Sequence, residues 1–243
     1  MRSFLAKIRD KLFGIDKIAF LIKNESEKQI QKADFKYREL KAIEILKPYL
    51  PDGFLFETSY SISFQTIQHI INDIVIYKPK IILEFGSGLS TLIIGNFIKK
   101  QKLETKLISL DDDNSWQNLL KSQSKEVDFY CIPLIENNPL SFQGKGIWFG
   151  IPSDHPVTKE KYDMVIVDAP KGSSSKFSRF GFIPFVKDRL SKDAIIYLDD
   201  TDRFDEKVIS DFIISELGNR MTIQKYYRYS RFSSNQDYYT SPS

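Results

Sequence analysis

The stretch "KIILEFGSGLSTLIIG", Lys80 to Gly95, decides the fold class predicted for this chain. It begins as an apolar run containing one acid, Glu84, passes through Gly86 and Gly88, and continues as an apolar, helix-like segment. Glycines let the backbone approach another group closely, and the unpaired N–H groups at the start of a helix favour anionic ligands. The stretch therefore predicts a strand, a ligand-binding turn and a helix, in that order.

Apolar strands and helices alternate along the chain after this turn. Most predicted strands are apolar throughout, which is typical of a parallel sheet covered by helices on both faces. The sequence therefore predicts an α/β fold with a doubly wound, mostly parallel, Rossmann-like sheet. Strands are expected over residues 81–85, 106–110, 127–134, 162–167 and 194–198, with one or two more after Gly218. Helices are expected from Thr91, around Trp116, over 180–190 and over 206–217.

The chain before the turn is predicted to be helical. Apolar residues from Leu5 to Ile22 recur at steps of three and four, which indicates an amphipathic helix interrupted at Gly14, and a second helix is expected over 27–46. We expect residues 1–53 to form a helical extension, 54–231 the domain and 232–243 a polar tail. The extension is expected to pack on the domain or on a second copy, as in a homo-oligomer. Peripheral membrane contact through residues 1–23 is the alternative.

Composition excludes several classes of function. A net charge of +3 over 243 residues is too small to indicate nucleic-acid binding. One cysteine and two histidines exclude an internal disulfide and the usual zinc cluster. Cys131 lies in an apolar stretch and is predicted to be a small core residue. No membrane span or cleavable export signal is evident, so a cytoplasmic location is expected.

Acidic residues mark the ends of four predicted strands. They are Glu84, Asp111, Asp168 and the pair Asp199 and Asp200. Because ligands of open parallel sheets bind outside the carboxyl ends of the strands, these side chains are expected to face one ligand crevice.

Two nucleotide-binding motifs can be set aside. The dinucleotide fingerprint needs a third glycine where this chain has Thr91, and the lysine of a phosphate-binding P-loop is absent. An acid two residues before the first glycine instead suits a ligand that carries an ammonium or sulfonium charge.

The runs "LEFGSG", "LISLD", "YDMVIVDAPKG" and "IIYLDD" together resemble the class I S-adenosylmethionine-dependent methyltransferases, over roughly residues 58–218. The resemblance implies that Gly86 and Gly88 pass beneath the methionine part of the cofactor and that Glu84 attracts its amino group. It also implies that Asp111 binds the ribose hydroxyls, with Asp112 as the alternative. Ser90 is a further cofactor-binding candidate, or a helix-capping residue. Trp116 is a core residue or a wall for the adenine.

"VDAPKG" and "LDD" are more specifically similar to the catechol and acyl-CoA phenol O-methyltransferases. That similarity implies a divalent cation, magnesium or manganese, held by Asp168, Asp199 and Asp200, and a catalytic role for Asp168, Lys171 and Asp200 near the acceptor. Asp200 stands where that group has asparagine, and it could instead cap a helix or pair with Arg203.

"VDAPKG", followed by "SRF" and then by "LDDTDR", also resembles bacterial methyltransferases that act on sugars or other metabolites. In that case the aspartates would act without metal, and Lys171, Arg179 or Arg203 would hold an anionic part of the acceptor. His155 is a candidate base or a solvated loop residue.

The predicted function is thus methylation of a small molecule, at a hydroxyl of a sugar, phenol or other metabolite. An aminopropyltransferase and a non-enzymatic membrane- or partner-docking module remain alternatives.

Overall fold

The computed structural model describes residues 9–11, 13–52, 58–217, 221–234 and 239–242. The chain divides into two compact units, Met1–Lys41 and Ala42–Ser243. Within the described ranges, no helix combines the length and hydropathy that crossing a membrane requires. The domain boundaries expected from the sequence stay a prediction.

The N-terminal part contains one long helix, α1, over Ile15–Leu46. The prediction of two separate helices within residues 15–46 was wrong. The predicted interruption at Gly14 is confirmed, because its φ of +65° places it in the left-handed region that ends a helical run. Phe13, Phe20 and Ile22 are exposed. Residues 1–8 of the predicted contact segment lie outside the described residues, so its contact with a membrane or a second copy stays a prediction.

The larger unit contains a seven-stranded sheet and a two-stranded one. The strands are β1 (Ile81–Phe85), β2 (Lys106–Asp111), β3 (Val127–Cys131), β4 (Leu134–Ile135), β5 (Trp148–Phe149), β6 (Tyr162–Val167), β7 (Leu190–Leu198), β8 (Thr222–Lys225) and β9 (Ser230–Ser233). The main sheet has the order β3-β2-β1-β6-β7-β9-β8, and β4 pairs with β5. Only the pairs β7–β9 and β8–β9 of the main sheet are antiparallel. The predicted Rossmann-like fold is confirmed.

Of the remaining helices, the first precedes β1 and the others lie between strands. These helices are α2 (Phe64–Tyr77), α3 (Leu89–Gln101), α4 (Asn114–Lys121), α5 (Phe182–Val186) and α6 (Phe204–Leu217). Short 3-10 turns occur at Lys47–Tyr49, Phe142–Gly144, Pro156–Thr158 and Ser178–Gly181.

Both faces of the sheet are buried, as the apolar strands predicted. In β6, Val165 and Val167 pack into one core cluster with residues of α5 and α6. Met164 and Ile166, which alternate with them, pack into the opposite cluster with residues of α2 and α3. This alternation is what a strand buried on two sides produces.

Several local predictions were wrong. Cys131 is exposed, because it ends the outermost strand β3, which has a neighbour on one side only. The strand predicted over 127–134 ends at Cys131, two residues before Pro133, which has no N–H to donate to a ladder. The helix predicted over 180–190 ends at Val186, since β7 already begins at Leu190. Helix α2 was not predicted, although Ile67, Ile70, Ile71 and Ile74 follow a helical period.

The register of the sheet brings four strand ends to one edge. The paired terminal residues of β1, β2, β6 and β7 are Phe85, Leu110, Val167 and Leu198. Asp111 ends β2, and Asp168 and Asp199 directly follow β6 and β7. Three of the predicted site residues therefore lie along the same carboxyl edge.

Candidate functional site

The glycine turn that follows β1 is held against its two neighbouring strands. The Gly86 N–H donates to the Leu110 carbonyl at 2.7 Å, and the Ala169 N–H donates to the Phe85 carbonyl at 2.9 Å. Gly86 has φ +101°, and a Cβ placed there would lie 3.1 Å from the Cβ of Ala169. Glycine is therefore required at this position both by backbone conformation and by the close approach of the neighbouring strand.

Glu84 lies beneath the turn and is fully buried. Its carboxylate accepts hydrogen bonds from the hydroxyls of Ser90 (2.6 Å), Ser109 (2.8 Å) and Thr91. Burial raises the pKa of Glu84 to about 7, although these hydrogen bonds lower it in part. Ser90 thus anchors the start of α3 to β1.

A cavity of about 300 Å³ opens above the turn, within the size range of small-molecule sites. Its lining comes from the segment before α2, the glycine turn, the end of β2 and the segment after β6. The lining residues are Thr58, Tyr60, Ser61, Ile62, Gly86, Ser87, Gly88, Leu89, Ser90, Asp111, Asp112, Asp113, Trp116, Asp168, Ala169 and Lys171. Most of the predicted cofactor-binding residues therefore surround one cavity, and Glu84 supports it from below.

Asp111 is fixed at the end of β2 by the backbone. Its Oδ2 accepts from the Ser87 N–H and its Oδ1 from the Asp113 N–H, both at 2.8 Å. Burial raises its pKa. Asp113 caps α4 by accepting from the Trp116 N–H at 2.9 Å, and the Trp116 Nε1 donates to the Ser87 carbonyl at 2.7 Å. Trp116 is half-buried, lines the cavity and also packs against the small core of Leu92 and Leu120, so its position fits both the core role and the adenine-wall role.

The acids that follow β6 and β7 surround a buried arginine. Arg179 is 2% exposed, and its Nη2 donates to Asp168 Oδ1 and to Asp200 Oδ2, both at 3.0 Å. Its Nη1 donates to the Asp199 carbonyl at 2.9 Å, and its Nε to the Pro170 carbonyl at 3.4 Å. This arginine therefore ties together the segments after both strands.

Two further arginines pair with the Asp200 carboxylate. Arg228 Nη2 donates to its Oδ1 at 2.7 Å, and Arg203 Nη1 lies 2.9 Å from its Oδ2. The predicted pairing of Asp200 with Arg203 is confirmed. The φ of Asp200 is +57°, a left-handed conformation that aspartate adopts more readily than most residues.

The three aspartates differ in their affinity for protons. Burial, followed by the charge of Asp200, raises the pKa of Asp199 to about 7. Its Oδ1 has no hydrogen-bond partner among the described residues. Burial also raises the pKa of Asp168. Although burial acts in the same direction on Asp200, the charge of Arg179 and the other two guanidiniums brings its pKa below the ordinary value.

The two remaining predicted residues, Lys171 and His155, differ in whether they line the cavity. Lys171 lines the cavity, and its Nζ lies 5.4 Å from the ring centre of Tyr60. His155 does not line the cavity. Its Nδ1 accepts from the Val157 N–H at 3.4 Å, and its ring packs edge-on against Tyr130. The structure gives His155 a local capping role.

Three residues important to the site did not emerge from the sequence patterns. Tyr60 precedes α2 and joins the cavity wall, Arg228 reaches Asp200 from the turn before β9, and Ser109 supports Glu84 from β2. The buried position of Arg179 was also not anticipated. Each of these contacts joins residues distant in sequence, so no local motif reports them.

The strand order, together with a cavity at the carboxyl edge of the sheet, is that of a Rossmann-like fold. No protein-family model matches the chain, and the search of curated proteins gave no match. Among solved structures, the fold is similar to the S-adenosylhomocysteine (SAH)-bound methyltransferase PaMTH1 of Podospora anserina. That structure has a TM-score of 0.51 and 15% identity, covering 86% of this chain and 95% of that one.

Two further solved structures are similar. A putative caffeoyl-CoA O-methyltransferase from Staphylococcus aureus has a TM-score of 0.52 and 15% identity, covering 85% of this chain and all (100%) of the other. A putative O-methyltransferase from Klebsiella pneumoniae has a TM-score of 0.50 and 14% identity, covering 85% of this chain and 96% of the other. The predicted structural similarity to S-adenosylmethionine-dependent O-methyltransferases is confirmed at the level of the fold.

Proposed function

We propose that this protein is an S-adenosylmethionine-dependent methyltransferase that methylates a hydroxyl oxygen of a small molecule, such as a sugar, a phenol or another metabolite. The observation that carries the proposal is that the glycine turn, Asp111 and Asp168 line the same cavity. A cofactor wall and an acceptor wall thus meet at the carboxyl edge of one parallel sheet, where such folds bind their ligands.

The residues around the cavity fit the cofactor. A Cβ at Gly88 would meet no atom within 4 Å, so the backbone leaves open space on the ligand side. Each carboxylate oxygen of Asp111 accepts one backbone N–H, which leaves lone pairs for the two ribose hydroxyls. Trp116 lines the cavity and would form a wall for the adenine, and Glu84 holds the turn in shape. When bound, S-adenosylmethionine supplies an activated methyl group.

Asp168 is the proposed acceptor of the hydroxyl proton. Its side chain lines the cavity, and its Oδ1 is held by Arg179. Among the described residues, none donates to Oδ2, so this oxygen can accept a hydrogen bond from the hydroxyl that is to be methylated. Burial raises the pKa of Asp168, which makes its carboxylate a stronger proton acceptor than an ordinary aspartate. Lys171, on the same wall, would hold an anionic part of the acceptor, and such positioning supplies much of the rate enhancement.

Titration calorimetry with SAH tests the proposal. We expect wild-type protein to bind SAH, and Asp111→Ala to lose about 2 to 4 kcal/mol of binding free energy, since charge-assisted bonds to the ribose disappear. Asp112→Ala is the matched control, because Asp112 lines the same cavity but is exposed and does not end β2. We expect its affinity to change less than threefold, which corresponds to about 0.6 kcal/mol.

Two results would contradict the proposal. One is the absence of SAH binding at millimolar concentration by folded wild-type protein. The other is tighter binding of 5′-methylthioadenosine than of SAH, which would instead favour transfer of an aminopropyl group. Equal affinities of wild type and Asp111→Ala would remove Asp111 from the ribose site.

A further inference from the structure

The three aspartates at the edge of the sheet have the spacing of a metal site. One carboxylate oxygen from each of Asp168, Asp199 and Asp200 lies within 4.8 Å of the other two. Magnesium and manganese prefer oxygen ligands of this kind, with magnesium about 2.0 to 2.1 Å from each oxygen. A cation shared by these residues would therefore have to lie between the carboxylates.

The guanidinium of Arg179 already bridges two of these three carboxylates. Its Nη2 lies 3.0 Å from both Asp168 Oδ1 and Asp200 Oδ2, and its side chain is only 3% exposed. The Nη1 and Nε atoms are bonded to the carbonyl oxygens of Asp199 and Pro170. Because this side chain is held at every nitrogen by the segments it joins, a cation bridging Asp168 Oδ1 and Asp200 Oδ2 could enter only by displacing it.

Both carboxylate oxygens of Asp200 are also already paired with arginines. Its Oδ1 receives Arg228 at 2.7 Å, and its Oδ2 is shared by Arg179 and Arg203. A carboxylate bonded to three guanidiniums has little remaining negative charge to offer a metal ion.

The local charge is close to balance without a metal. The acids are Asp168, Asp199, Asp200 and Glu206, and the bases are Arg179, Arg203 and Arg228. With every acid ionised this leaves one negative charge in excess, and a divalent cation added beside Arg179 would convert it into an excess positive charge in a largely buried cluster. Uncompensated charge of either sign is costly away from water, so the arginines disfavour a further cation.

We propose that Arg179 takes the place of a divalent cation in this protein by bridging the Asp168 and Asp200 carboxylates, so that the acid cluster forms without metal. In this arrangement Arg179 neutralises the cluster and orients the Asp168 carboxylate towards the cavity. Only the second role rests on the proposed function, because the first concerns the cluster alone.

Manganese binding, followed by the loss of the electron paramagnetic resonance signal of free Mn²⁺, tests this inference. After treatment with EDTA and its removal, we expect wild-type protein to leave the Mn²⁺ signal unchanged up to about 1 mM protein. Arg179→Ala opens a space among the carboxylates, and its affinity for Mn²⁺ is expected to be at least tenfold tighter than that of wild type. A rise in the thermal midpoint of the variant on adding Mn²⁺ would report the same event.

Two matched variants separate this role from simple support of the fold. Arg203→Ala removes a half-exposed arginine from the same Asp200 oxygen but leaves Arg179 in place, so no gain of Mn²⁺ affinity is expected. Arg179→Lys keeps a positive charge in the cluster and should likewise bind no Mn²⁺. If Arg179 only supported the fold, its removal would lower stability without creating a cation site.

The inference is overturned if wild-type protein binds Mn²⁺ with a dissociation constant below about 100 µM. It is also overturned if Arg179→Ala is folded by circular dichroism and gains no affinity. Should Arg179→Ala not fold, the wild-type and Arg179→Lys titrations decide. SAH binding by the EDTA-treated wild type is measured in parallel, so loss of SAH binding would count against the proposed function and not against the role of Arg179.

Discussion

At the scale of single residues, the two glycines of the turn meet different demands. Gly86 adopts φ +101° and lies against Ala169, so both its conformation and its surroundings exclude a side chain. Gly88 has φ −170°, an extended conformation open to other residues, and a Cβ there would meet nothing within 4 Å. The first glycine therefore serves the fold, and the second leaves room for a ligand.

The same substitution at these two positions should separate stability from binding. We expect Gly86→Ala to lower the free energy of unfolding by about 1 to 3 kcal/mol, because alanine is strained at positive φ and would press on Ala169. Gly88→Ala should change stability by less than about 0.5 kcal/mol but weaken SAH binding at least tenfold, since its methyl group enters the ligand space. Urea unfolding and titration calorimetry on both variants measure these quantities. A reversed pattern would show that the roles of the two glycines have been exchanged.

At the scale of elements, a buried ion pair fastens helix α2 to the end of the sheet. Asp73 of α2 and Arg231 of β9 are both fully buried, and Asp73 Oδ2 accepts from Arg231 Nε at 2.6 Å. Tyr197 of β7 donates to the same oxygen at 2.7 Å. One carboxylate thus joins a helix to the last parallel strand and to the antiparallel strand beside it.

Breaking this pair should be far more costly than breaking an exposed one. We expect Asp73→Ala to lower the free energy of unfolding by about 3 to 5 kcal/mol, because Arg231 would be left as a buried, uncompensated charge. The exposed pair of Lys187 and Glu216, at the similar distance of 3.0 Å, provides the control. Lys187→Ala should cost less than about 1 kcal/mol. Equal losses for the two variants in urea unfolding would show that burial does not set the cost.

The elements that the sequence predicts well are those whose patterns are local. β1 and β6 are apolar runs with clear ends, and the acids that follow the strands could be assigned to one edge because parallel strands end together. The position of Arg179 could not be predicted from the sequence, since its partners depend on how two segments that follow different strands meet in space. Arg228 is 28 residues from Asp200, and no local sequence pattern in either segment indicates that the two residues pair.

At the scale of the whole molecule, buried acids make folding stability depend on pH. The pKa of Glu84 and that of Asp199 are both raised to about 7, in each case chiefly by burial. Between about pH 4 and pH 7 the folded protein therefore binds more protons at these groups than the unfolded chain does. Their contribution to stability falls as pH rises through this window. His69 acts in the opposite direction below about pH 6.5, because burial lowers its pKa to about 3.

Replacing Glu84 isolates one of these contributions. The Glu84→Gln side chain cannot ionise, so it removes the preference of the folded state for a proton at this site. The wild type should therefore lose about 2 to 3 kcal/mol more stability than the variant between pH 5 and pH 8, given a folded pKa of about 7. Urea unfolding at both pH values gives the difference. Glu104→Gln, at an exposed position in the loop after α3, is the control and should follow the wild-type profile. If Glu84→Gln also follows that profile, then Glu84 is ionised throughout this range, and its three hydroxyl donors outweigh the effect of burial.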